Sequence, residues 1–190
     1  MDLSYKNEMT FKDQDFTKKE LLKAEYEYCT FDNCNFENSH LSSIMFLDCD
    51  FIDCNVSNVK IKETTFKDAT FTNCKLLGIP FNTCNAFLFS ASFSGCNLGF
   101  ASFHDLKLIS TTFKNCKLHN ADFTAANLSN STFSDCDLLG VVFDTTNLEK
   151  VDFRTSYNFF INPEFNRIKK AKFSKENIHG LLQHHDIVIE

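Results

Sequence analysis

The chain has 190 residues, 43% of them apolar and 23% charged, with a formal net charge of -6. That is enough apolar material for one folded domain. No basic, apolar leader and no apolar run of about eighteen residues occurs, so neither export nor membrane insertion is expected and the cytoplasm is the expected location.

In chain order, residues 1–23 enter a five-residue beat imperfectly, with Gln14 and Lys19 where later units hold small or apolar residues. This reads as a capping coil, because the first unit of a repeat array must face water. From residue 24 the beat is regular: Tyr26, Phe31, Phe36, Leu41, Phe46 and onward to Phe81, then, after a slip of two residues, Phe93 to Phe153. One register of the beat is phenylalanine at every turn: Phe11, Phe31, Phe51, Phe71, Phe93, Phe113, Phe133, Phe153 and Phe173. Seventeen of the 23 phenylalanines fall on the beat, so the pattern is structural.

A spacing of five fits neither the helical period nor the strand period, so the backbone must bend at every unit. If four bends close a coil of twenty residues, residues twenty apart stack at the inter-strand spacing of ~4.8 Å. The expected fold is all-β, a parallel solenoid with four faces and an aromatic core.

A second inward position lies two residues before each beat. Over 24–83 and 91–151 neither inward position holds a charge, as a thin core requires. All nine cysteines occupy the second position, and six form one column: Cys34, Cys54, Cys74, Cys96, Cys116 and Cys136. Parallel side chains ~4.8 Å apart sit too far apart for a disulfide, and no paired spacing suggests zinc, so these thiols are expected to pack as small apolar groups.

The slip near 82–90 predicts a bulge that displaces Phe87 or Phe89 outward, where either could meet a partner; an inserted ring folded back over the core is the plainer alternative. The solenoid should run over 24–173. Beyond it, residues 174–190 read as a short helix over 175–185, capped by Ser174, followed by a strand over 186–190. Ile178, Leu181 and Leu182 make an apolar helix face, and with Ile187 and Ile189 they are candidates either to cover the last coil or to join two copies.

Charge is zoned along the chain. Residues 24–59 hold seven acids and no base, among them Asp32, Asp48, Asp50 and Asp53; residues 118–149 hold Asp122, Asp135, Asp137, Asp144 and Glu149, again with no base. These acids are candidate partner contacts. The modest basic middle lacks an aromatic platform, so direct nucleic-acid binding is not expected. No nucleotide loop, nucleophile elbow or metalloprotease motif occurs, and a filled rod leaves no cleft for paired carboxylates. An enzyme, a metal and a cofactor are therefore not expected.

The triplets Cys-Asn-Leu (96–98), Ala-Asp-Phe (121–123), Ala-Asn-Leu (126–128) and Cys-Asp-Leu (136–138) resemble the pentapeptide-repeat family. The resemblance implies a right-handed quadrilateral β-helix. The ending, FSKENIHGLL (173–182) and DIVIE (186–190), is similar to the Qnr-like branch, the fluoroquinolone-resistance and microcin-immunity proteins. That similarity implies a homodimer joined through the C-termini, which binds DNA gyrase or topoisomerase IV as a mimic of duplex DNA and relieves quinolone poisoning. Many Qnr proteins carry long loops thrown out of the solenoid; this chain offers only the short bulge. The alternative is a structural scaffold that binds another protein partner through its outward residues.

Overall fold

The computed structural model describes residues 4–185 and Ile187. Eleven short strands occur along it: β1 Ser4–Asn7, β2 Thr10–Lys12, β3 Ala24–Glu27, β4 Thr30–Asp32, β5 Met45–Leu47, β6 Asp50–Ile52, β7 Thr65–Lys67, β8 Ala69–Thr72, β9 Ala91–Ser94, β10 Thr112–Lys114 and β11 Thr132–Ser134. Every pairing is parallel and joins residues one coil apart. Phe11 lies opposite Phe31, Phe31 opposite Phe51, and Phe113 opposite Phe133.

Four faces follow. Face 1 is the sheet β1-β3-β5-β7, and face 2 is the seven-stranded sheet running from β2 to β11. Faces 3 and 4 are single bridges, such as Asn35 to Asn55 and Ser102 to Asp122. We number the coils from Ser4: coil 2 begins at Ala24, coil 3 at Ile44, coil 4 at Thr64, coil 5 at Cys84, coil 6 at Leu106, coil 7 at Ala126, coil 8 at Thr146 and coil 9 at Asn166.

The beat residues fill the interior as columns. On face 2 the rings from Phe11 to Phe173 stack with centroids 4.7–5.4 Å apart and planes within 14° of parallel. Face 4 carries a second column in which Phe103 and Phe123 stack at 4.7 Å. Rings of the two columns meet edge to face, as Phe113 and Phe123 do at 5.8 Å and 89°. Stacked within a column and T-shaped between columns is the arrangement that the ring quadrupole favours.

The corners have their own chemistry. The residue two after most beats sits at positive φ, and 14 of the 24 non-glycine residues with positive φ are Asn or Asp, whose short polar side chains tolerate the left-handed region. Asn or Asp one before the beat adds a second restraint, accepting a bond from the amide two residues on: Asn35 from Glu37, Asp122 from Thr124, Asn147 from Glu149.

The cysteine column is a ladder of donors. Cys34, Cys54, Cys74, Cys96, Cys116 and Cys136 each direct Sγ at the carbonyl of the face-2 phenylalanine 23 or 25 residues earlier, at 3.2–3.6 Å. The row continues beyond cysteine. Ser156 donates to the Phe133 carbonyl at 2.7 Å, and Asn177 Nδ2 donates to that of Phe153 at 3.2 Å. Donation requires the thiol rather than the thiolate. Burial pushes the neighbouring thiols of Cys49 and Cys84 up to about 12. All nine cysteines are free and buried.

Three places add to or change the expectations. The first coil is already in register, Ser4 opposite Ala24, although polar Lys6 stands where later coils place Tyr26 and Phe46. At the slip, Ala69 pairs with Ala91 and the two extra residues loop out on face 1, ending that sheet at β7. Phe87 is expelled and 92% exposed, whereas Phe89 turns inward, 8% exposed, to meet Phe81 edge-on at 5.5 Å. Phe89 is thus a core residue and not a partner contact.

The third change is the ending. In place of a helix over 175–185 there are turns and two short 3-10 segments, Ile178–Leu181 and Gln183–His185. The cause is Gly180. Its carbonyl accepts a bond from Ile161 at 3.0 Å, and a side chain there would lie 2.4 Å from the Phe159 carbonyl, so the backbone docks on coil 8 instead of winding on itself. The strand expected over 186–190, including Ile189, lies outside the described residues except for Ile187.

Candidate partner-binding surface

Because the interior is filled, the outward positions decide what the rod can meet. The face assignment sorts the acids differently from their order in the chain. Twenty residues wrap all four faces, so neighbours in sequence need not be neighbours on the surface.

The five acids of 118–149 disperse. Glu149 lies on face 1, Asp135 at the corner of faces 2 and 3, Asp137 on face 3, and Asp122 and Asp144 on face 4. Two of them are already engaged. Asp122 Oδ1 accepts the Thr124 amide at 2.9 Å, and Asp137 receives His119 Nε2 at 2.7 Å and Asn158 Nδ2 at 2.9 Å. These acids do not form one patch.

The N-terminal acids do converge. Glu25, Glu27, Asp32, Asp48 and Asp50 lie on faces 1 and 2 of coils 2 and 3 and Asp53 at the corner of faces 2 and 3, with no base among the outward residues there. Lys12 reaches Asp32 at 2.7 Å from the coil before, and the Tyr5 hydroxyl binds Glu27. Asp50 accepts the Thr70 hydroxyl from the coil after, and Glu25, Asp48 and Asp53 have no side-chain partner among the described residues.

A second surface follows the corner of faces 3 and 4 in coils 4 to 7. Phe100 is 67% exposed, and Leu139 and Val142 are exposed on the same edge two coils on. Leu77 lies over Gly99, where a Cβ would stand only 3.1 Å from the leucine Cδ2. Phe100 also holds a φ of 58°, a conformation that costs a bulky residue about 1 kcal/mol. Replacing Phe100 with Asn should therefore raise stability by about 1 kcal/mol in urea titrations, because Asn tolerates that corner. An unchanged or lowered midpoint would show that the ring holds the corner in place.

Asp137 is one of four carboxylates held below their usual values, with Asp15, Asp152 and Glu176. Burial raises its pKa, but the bonds from His119 and Asn158 outweigh burial and hold the carboxyl below its usual value. A depressed carboxylate stabilises the fold above its unfolded value near 4, and that contribution disappears as pH falls through the folded value. The melting midpoint should fall below about pH 4, and Asp137→Asn should remove part of that fall. Equal acid slopes for the two proteins would contradict the assignment.

Among the described residues no group of three or more His, Cys, Asp or Glu is placed to hold a metal ion, and no helix is long and apolar enough to cross a membrane. A family model described as the pentapeptide repeat region matches residues 24–103 and 106–181. The chain belongs to the pentapeptide-repeat family. Among solved structures, a trypsin-treated QnrB1, described as a plasmid-mediated fluoroquinolone resistance protein, is 18% identical over 98% of this chain and 92% of its own, with a TM-score of 0.58. A second trypsin-treated QnrB1 is 19% identical over 98% and 100% of the two chains, with a TM-score of 0.47. HetL from the cyanobacterium Nostoc sp., described as involved in heterocyst differentiation regulation, is 14% identical over 90% and 88%, with a TM-score of 0.33. At these identities the pentapeptide-repeat likeness is one of fold. Among the curated proteins no sequence matches the chain.

Proposed function

We propose that this pentapeptide-repeat protein is a non-enzymatic binder of DNA gyrase or topoisomerase IV that mimics duplex DNA and protects the enzyme from quinolone-type poisoning. The observation that carries the reading is the acidic edge of coils 2 and 3, six acids with no base on two adjoining faces and the corner beside them. Two coils span ~10 Å, over which a duplex carries about six charges, so the edge matches DNA locally.

Two copies would join end to end through the last coil. Ile178 and Ile187 are exposed there, and Phe173 and Leu181 are only partly covered. A gyrase supercoiling assay with and without a quinolone tests the reading. Micromolar protein should inhibit supercoiling or restore it in the presence of drug, and Asp48→Lys with Asp50→Lys should abolish the effect. If the unaltered protein does neither, the reading fails.

The corner of Phe100, Leu139 and Val142 favours a second reading, a scaffold that holds another protein by apolar contact. A captured partner lost on Leu139→Ser but kept on Asp48→Lys would select it.

A further inference from the structure

The first coil keeps register with the second on faces 1 to 3, where Ser4 lies opposite Ala24, Phe11 opposite Phe31 and Asp15 opposite Asn35. On face 4 it does not. Coils 2 and 3 are tied at the corner of faces 3 and 4 by bonds from Asn38 N to Ser57 O, Leu41 N to Lys60 O and Lys60 N to Ser39 O, at 2.8–3.0 Å. The same rungs between coils 1 and 2 would use Lys18, Lys19 and Leu21, and among the described residues no backbone bond joins 17–21 to coil 2. Lys19 is the cause. It stands two residues before the beat residue Leu21, at the small inward position, and pointing it inward would bury an unpaired ammonium. The backbone turns instead, leaving Lys19 exposed while Leu21 still reaches the core, 6% exposed.

The turn opens a cleft of about 440 Å³ between the two coils. Its lining includes Glu20, Asn35, Glu37, Ser39 and His40, with Phe16 as its aromatic residue and no lysine or arginine. Lys18 is held by Asp15 at 2.7 Å, and Lys19 and Lys60 stand outside the lining. The groups that the missing rungs would have used face the cleft. They are the carbonyls of Glu37 and His40 and the amide of His40, whose counterparts one coil on, at Ser57 and Lys60, are all bonded. The Ser39 hydroxyl is left over as well. Thr64, Ser131, Thr146 and Ser156 each donate to the carbonyl 23 residues earlier, at 2.6–2.9 Å. For Ser39 that carbonyl is the one of Phe16, yet Ser39 Oγ is buried without a hydrogen-bond partner, in a residue only 8% exposed. Glu37 is held in place by Asn55 Nδ2 at 3.2 Å.

We propose that this cleft binds a compact cation rich in N–H donors, an alkylammonium or a guanidinium, carried either by a free small amine or by a side chain of a protein partner. Two carboxylates, two free carbonyls and a free hydroxyl make a set of acceptors. An ammonium brings three donors to them and a guanidinium five, and hydrogen bonds of this charge-assisted kind are the strong ones. A buried hydroxyl without a partner is costly, so a ligand that engages Ser39 Oγ recovers that cost. The cleft lies across the rod from the acidic edge of faces 1 and 2, and the inference does not depend on the topoisomerase reading.

Amide NMR spectra of the full chain test it with three probes. These are 1,4-diaminobutane for the free amine, acetyl-arginine amide for a partner's side chain, and tetramethylammonium, a cation without an N–H. At constant ionic strength one or both N–H cations should produce saturable shifts centred on residues 37–40, and tetramethylammonium should bind at least about tenfold more weakly. Diaminobutane alone would assign the site to a free amine, and the arginine amide alone to a partner's side chain. Glu37→Gln and Ser39→Ala should each weaken binding at least about threefold. Lys19→Ala should restore the missing rungs, raise the melting midpoint and abolish binding, because a small residue lets coil 1 close onto coil 2. No saturable shift from either N–H cation, equal binding of tetramethylammonium, or undiminished binding to the Lys19→Ala protein would each overturn the proposal. Should a variant fail to fold, the three probes on the unaltered protein still decide.

Discussion

Phe123→Asp should abolish cooperative folding, while Asp122→Asn, its neighbour in sequence, should melt within a degree or two of the unaltered protein. Phe123 has no exposed surface. It is stacked on Phe103 at 4.7 Å and Phe143 at 5.5 Å, with Phe113 and Phe133 edge-on at 5.8 and 5.9 Å. Losing a buried ring costs about 3–5 kcal/mol, and an unpaired carboxylate in the space it leaves adds a desolvation cost of several more. The sum is comparable with the whole stability of a typical domain, roughly 5–15 kcal/mol. Asp122 acts through Oδ1, which accepts the Thr124 amide at 2.9 Å, and the Asn carbonyl oxygen can accept that bond equally well. Circular dichroism melts of the two variants decide the matter; similar midpoints would mean that the ring is not in the core.

Gly180→Val should detach the C-terminal segment and leave the coils before it folded. A side chain at Gly180 would meet the Phe159 carbonyl at 2.4 Å and its ring at 2.6 Å, and both belong to the docked face of coil 8. The valine can be accommodated only by lifting the segment, which breaks the bond from Ile161 to Gly180 and uncovers Phe159 and Ile161. Limited proteolysis should then cut between about residues 174 and 185 far faster than in the unaltered protein, with the remaining fragment resistant, because neighbouring units of a solenoid support one another. A variant as resistant as the parent would show that the docking at Gly180 is not what holds the ending.

The core was legible in the sequence because each beat residue projects inward once per bend, so a linear spacing of five maps directly onto columns such as Phe11 to Phe173. The corners were legible too, through a signal that was passed over. The residue two after the beat is Asn or Asp at Asn33, Asp53, Asn73, Asn115 and Asp135, and those residue types at that offset encode the left-handed bends.

The surface was harder to read. The acids of 118–149 form a run in the chain but fall on different faces, and only the period of twenty, applied to the outward positions, separates Asp135 from Asp137 and Asp144. The same bookkeeping would have brought Glu25, Asp48 and Asp50 together, and set Arg167 and Lys169 on the same edge. The ending misled for a different reason. Ile178, Leu181 and Leu182 satisfy a helical spacing, but that spacing cannot show that the Gly180 carbonyl is claimed by Ile161, which lies nineteen residues earlier.

The central claim is that twenty residues make one interchangeable coil, and deleting a whole coil and a quarter coil tests it most directly. Removing residues 106–125 should leave a protein that unfolds cooperatively and is shorter by one step of ~4.8 Å, because Phe103 then meets Phe143 in the same column. Removing residues 106–110 should abolish folding, because it turns the remaining coils by one face and sets leucine columns against phenylalanine. If the quarter-coil deletion folds as well as the whole-coil deletion, or if neither folds, the stacked-coil account is contradicted.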